Sequence, residues 1–60
     1  MRREYLAMCD NGHDYLEFRF YSEHRRNSKA NLQDAKDALR RQYGNAVYRS
    51  NRIISVEKID

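Results

Sequence analysis

The run Tyr15-Leu16-Glu17-Phe18-Arg19-Phe20-Tyr21 alternates strictly, with Leu16, Phe18 and Phe20 on one side of an extended chain and Tyr15, Glu17, Arg19 and Tyr21 on the other. A helix would repeat its apolar positions every three or four residues, so a period of two marks a half-buried strand. Such a strand needs a pairing neighbour and a layer over its apolar face. Upstream, Tyr5-Leu6-Ala7-Met8-Cys9 supplies the neighbour, and Asp10-Asn11-Gly12-His13 is the turn between them, because Asn and Gly tolerate positive φ.

Turn and apolar pattern disagree about the register. A two-residue Asn11-Gly12 loop sets Met8 opposite Tyr15 and Ala7 opposite Leu16, which sends Tyr5 and Ala7 to the core face. A loop one residue longer, Asn11-Gly12-His13, sets Leu6 against Phe18 and Met8 against Leu16, since a slip of one residue exchanges the faces. Buried area favours the longer loop. At about 25 cal/mol per Å², Leu6 and Met8 remove more apolar surface from water than Ala7 and the partly polar Tyr5.

Beyond the polar stretch Ser22 to Asn27 the period becomes helical: Leu32, Ala35, Leu39 and Tyr43 follow at spacings of three, four and four, with Ala38 widening the stripe. Either Ser28 or Asn31 caps the start, Asn31 with Asp34 imitating a capping box. Arg40 and Arg41 suit the negative pole at the far end, and Gly44-Asn45 is a left-handed stop. Arg52-Ile53-Ile54-Ser55-Val56-Glu57-Lys58-Ile59 is β-branched and reads as a third strand, with Ile54 and Val56 inward. Ala46-Val47-Tyr48 fits either a short edge strand or a loop.

These elements predict a single α+β domain over residues 1–60, in the order β-β-α-β: a three-stranded antiparallel or mixed sheet of order 2-1-3, with one helix on one face. The expected interior joins Leu6, Met8, Leu16, Phe18, Phe20, Ile54 and Val56 to Leu32, Ala35 and Leu39. The other sheet face is then uncovered, and Tyr5, Ala7, Tyr15, Glu17, Arg19, Tyr21, Ser55 and Glu57 are expected on it. A domain of this size buries only about 60% of the surface its unfolded chain exposes, so its core is thin and a partner would thicken it.

Composition narrows the function classes. Cys9 is the only cysteine, which rules out a disulfide within the chain and suits a reducing compartment. No segment approaches the roughly 18 apolar residues of a membrane span, and Met1-Arg2-Arg3-Glu4 does not lead into an apolar signal core, so a cytoplasmic location without membrane contact is expected. The nitrogen and sulfur donors are Cys9, His13 and His24, and no paired metal-ligand spacing joins them. Cys9 and His13 flank the hairpin turn without a third catalytic partner, and two isolated glycines make no phosphate-binding loop. The expectation is a protein without enzymatic activity, cofactor, metal or small-molecule substrate.

Binding remains. Tyrosine and arginine are enriched at interface hot spots, and Tyr5, Tyr15, Arg19 and Tyr21 on an open sheet, with Arg25, Arg26, Arg40 and Arg41 nearby, would suit a protein partner or a homodimer. The alternative is nucleic acid: the tyrosines stack on bases, and Arg25, Arg26, Arg40, Arg41, Arg49 and Arg52 reach phosphates. The net charge of +3 permits this, while Glu17 and Glu57 at the centre of the same face oppose it.

Ser28-Lys29-Ala30-Asn31 with Asp34-Ala35, then Tyr43-Gly44, then Ile53-Ile54-Ser55-Val56-Glu57-Lys58-Ile59, resembles the short open reading frames of bacterial phages and integrated elements. The resemblance covers about half of the chain. It implies a bacterial or phage cytosolic setting and a small accessory or host-interacting role, with no catalytic residues to carry across.

Overall fold

The alternating strand and its neighbour pair through a connection longer than either loop read from the sequence. In the computed structural model, which describes residues 2–59, β1 (Arg3–Asp10) and β2 (Tyr15–Ser22) are joined by residues 11–14. Asn11 builds this loop: its Oδ1 accepts the backbone N–H groups of His13 at 2.9 Å and Asp14 at 2.8 Å, and its own N–H donates to the Asp14 carbonyl at 3.1 Å. Asp10 Oδ1 accepts the N–H of Gly12 at 2.7 Å, and Gly12 takes φ 95°, a conformation that glycine adopts without steric cost.

That loop length fixes the pairs Asp10 with Tyr15, Met8 with Glu17, Ala7 with Phe18 and Tyr5 with Phe20. The core face of β1 is therefore Tyr5, Ala7 and Cys9, and the expected burial of Leu6 and Met8 beneath the helix is corrected. Apolar area alone misjudged this choice for two reasons. The Tyr5 hydroxyl donates to the His24 carbonyl at 3.0 Å, so its polar end enters the interior satisfied, and its ring stacks on Phe20 with centroids 5.4 Å apart. Ala7 and Cys9 also share the core with Ala35 and Ala38 of the helix, and small residues on both sides let the layers approach closely.

Helix α1 (Lys29–Tyr43) begins at Ser28, whose Oγ accepts the Asn31 N–H at 3.1 Å. Asn31 is fully buried and has a different task from capping. Its Nδ2 donates to the His24 carbonyl at 3.2 Å and its Oδ1 accepts the Asn27 N–H at 3.3 Å, holding the connection from β2 against the helix. Ser22 Oγ adds a bond to Asp34 Oδ2 at 2.7 Å and accepts the His24 N–H at 3.0 Å. At the other end Gly44 has φ 93° and donates its N–H to the Arg40 carbonyl at 2.8 Å, as the stop signal requires.

The chain then turns directly into a second short helix, α2 (Asn45–Ser50), so Ala46-Val47-Tyr48 is neither strand nor loop. Val47 and Tyr48 pack against the edge of the core, and the Arg40 guanidinium lies 5.2 Å from the centre of the Tyr48 ring. Asn51 Nδ2 donates to the Val47 carbonyl at 3.0 Å and closes the element. Strand β3 (Arg52–Lys58) returns antiparallel to β1, giving the order β2-β1-β3.

A bulge interrupts the last pairing: Ser55 lies opposite Met8 and Ile53 opposite Cys9, which leaves Ile54 as the additional residue. Val56 points inward as expected, whereas Ile54 is 50% exposed, a second correction to the expected core. Leu16 and Leu32 pack on the periphery of the core rather than at its centre. Helix α1 lies nearest β2, so the helical layer is displaced away from β3. The Cα envelope is 33 × 17 × 17 Å, which accommodates two layers and no third.

Candidate functional site

The face of the sheet opposite α1 has no cover among the described residues. Its rows follow from the register: Tyr21 beside Glu4; Arg19, Leu6 and Glu57; Glu17, Met8 and Ser55; Tyr15, Asp10 and Arg52. Ile59 donates its N–H to the Glu4 carbonyl at 3.2 Å and extends the first row. Leu6 and Met8 lie half-buried on the central strand, shielded only by their neighbours within the sheet. Tyr15 and Tyr21 stand at opposite ends, 70% and 56% exposed. The surface thus has an apolar centre within a polar and aromatic rim, the anatomy of protein interfaces.

Of the residues expected on this face, Tyr15, Arg19 and Tyr21 are there and share one edge strand. Arg19 reaches Glu4 at 3.7 Å, an exposed pair that contributes little to stability, and the Arg2 guanidinium lies 5.3 Å from the Tyr21 ring centre. Tyr5 is not on this face. It is 3% exposed and packed beneath the helix, for the reasons given with the register.

The four remaining arginines are dispersed over separate hollows rather than gathered on the open face. Arg25 and Arg26 sit in the connection after β2 and line, with Arg3, Lys58, Glu23 and the edge of the buried Tyr5, a depression of about 540 Å³. Arg41 lines a different hollow with Tyr21, Asp34 and Asp37, while Arg40 turns to Tyr48. Sequence reasoning missed Leu6 and Met8 as the centre of the open face. The observed four-residue loop gives the same faces as the two-residue alternative, because a shift of two residues leaves each side chain on its own side. Weighing polar satisfaction of Tyr5 together with buried area would have found Leu6 and Met8.

Cys9 is buried in the core, its thiol donating to the Leu16 carbonyl at 3.5 Å, and His13 lies in the exposed loop. Burial first, and the Asp10 charge second, push the Cys9 thiol above its ordinary pKa. It is a small apolar residue of the strand rather than an activated nucleophile. Among the described residues no three His, Cys, Asp or Glu side chains come together as metal ligands would, and no helix is long and apolar enough to cross a membrane. In comparisons with family models, curated proteins and solved structures, the chain matches none.

Proposed function

We propose that this chain is a non-catalytic binding protein whose helix-free sheet face docks a protein partner or a second copy of itself. The observation that carries the reading is Leu6 and Met8 at the centre of that face, ringed by Tyr15, Tyr21, Arg19, Glu17 and Glu57. Two flexible apolar side chains on a central strand give a dehydrated contact with little loss of backbone freedom, and the exposed tyrosines add area with few rotamers to fix. An accessory role in a bacterial or phage cytoplasm accords with the resemblance noted in the sequence. The nucleic-acid alternative is less well supported, since Tyr5 is buried, Glu4, Glu17 and Glu57 lie on the face, and the arginines are dispersed.

The test is a paired affinity capture from bacterial lysate, with wild type and a Leu6→Glu/Met8→Glu double variant, alongside sedimentation equilibrium of both. A partner held by wild type and lost from the variant, or a wild-type dimer that the variant abolishes, supports the reading. Equal capture by both proteins, together with monomeric wild type, defeats it. Binding to single-stranded oligonucleotides that weakens steeply with salt would favour the alternative instead.

A further inference from the structure

We propose that the groove between the helices and β3 is a binding site for a single-chain amphiphile with an anionic head, such as an aliphatic carboxylate. This site lies on the helical side of the sheet and is independent of the open face.

The displacement of α1 toward β2 leaves a groove of about 530 Å³ between the helices and β3. That volume falls within the range of about 300–1,000 Å³ typical of small-molecule sites. Leu39 is fully buried, and Leu32, Tyr48 and Ile53 are half-buried, which makes them its floor and walls. Past Leu32 and Ile53 the groove continues into a second hollow of about 200 Å³ bordered by Asn27, Ile54 and Val56. The result is an elongated apolar trough, which an alkyl tail matches in shape and in polarity.

Charge selects the head group. Lys36 lies one turn beyond Leu32 and one turn before Leu39 on α1, and Arg49 stands in the last turn of α2; both line the groove and both are exposed. No carboxylate lines either hollow, and among the described residues neither cation is in an ion pair. Two other cations nearby add nothing to this balance. Arg40, over the Tyr48 ring, is paired with Asp37 at 3.2 Å, and Arg52 borders the groove but lies across from Asp10 on the open face. Lys36 and Arg49 therefore place two uncompensated charges beside an apolar trough, and the complementary ligand joins an anion to an apolar chain. The paired N–H donors of the Arg49 guanidinium match a carboxylate.

Other occupants fit less well. A small polar anion such as phosphate would meet the two cations and leave the apolar floor wet. A peptide strand added to β3 would turn every second side chain to the open face, away from Lys36 and Arg49. Antiparallel pairing of β3 with its own copy would bring Arg52 against Lys58, a like-charge contact. Nucleic acid would seek an exposed aromatic face, but Tyr48, the groove's one aromatic residue, is half-buried with Arg40 over its ring.

The experiment is a titration of the isotope-labelled full chain with hexanoate, octanoate and decanoate below their micellar concentrations, followed by amide NMR. Shift changes are expected at Leu32, Lys36, Arg49 and Ile53, reaching Ile54 and Val56 with the longer tails. Each added methylene should tighten binding about two- to fourfold. Octyltrimethylammonium, with a comparable tail and the opposite head charge, should bind at least about tenfold more weakly than octanoate. A Lys36→Gln/Arg49→Gln variant should bind octanoate about threefold more weakly or worse. Arg3→Gln/Lys29→Gln has the same net charge and alters no residue lining the groove, so it should bind as wild type does. The proposal is overturned by no shifts at about 1 mM decanoate, by affinity independent of tail length or head charge, by equal losses in the two variants, or by shifts confined to the Tyr15–Tyr21 face. Inorganic phosphate or a single-stranded oligonucleotide that shifts the groove residues more strongly than decanoate overturns it as well.

Discussion

Tyr5 brings a phenol hydroxyl to the end of the core, and the His24 carbonyl accepts both that hydroxyl and the Asn31 side-chain amide. One backbone oxygen thereby satisfies two buried donors, and among the described residues no buried side-chain nitrogen or oxygen lacks a partner. Neither bond was legible in the sequence, because His24 lies in a polar stretch with no periodicity to place it. Cys9 shows the same dependence on environment through its titration. Its folded pKa is raised, so the stability it contributes is fully present below the unfolded value, about 8.5, and is lost as pH rises through the folded one. Denaturation midpoints measured from neutral pH into this alkaline window should therefore fall more steeply for wild type than for Cys9→Ala. Parallel profiles would show that the thiol is not held protonated by burial.

Among the elements, α1 was the most legible, since its apolar spacing, the Ser28 cap and the Gly44 stop all agree with the observed helix. The strands were also legible as strands, but the hairpin register was not. Register depends on loop length, and loop length here is set by two side-chain acceptors, Asp10 and Asn11, rather than by the Asn-Gly pair alone. Replacing Asn11 by Ala removes the acceptor of two loop N–H groups that water can partly satisfy, and should cost about 0.5–1.5 kcal/mol. Thermal unfolding measures the loss, and cross-strand NOEs between Ala7 and Phe18 report whether the register survives. Helix α2 escaped detection because six residues are too few for a helical period to declare itself, and because Gly44 ends one helix while the next begins at once.

For the molecule as a whole, the sheet's two faces make a contrasting pair of mutations. Ala7→Leu adds volume where Ala35, Ala38 and Phe18 already fill the core, and should destabilise the fold by about 1–3 kcal/mol. Leu6→Gln, one residue away on the open face, should cost less than about 1 kcal/mol while weakening any complex made through that face. Chemical denaturation of the two variants checks this, and the opposite ranking would return Leu6 to the interior. The alternating and helical periods, the caps and the β-branched ending determined three strands, one long helix and the antiparallel order β2-β1-β3, because these follow from local stereochemistry and the need to cover one apolar face. Only the tertiary structure decided which side of β1 is covered, that Ile54 bulges outward, and that α1 stands away from β3. Those choices rest on packing between small residues and on hydrogen bonds across 19 and 7 positions of sequence, which no local pattern encodes.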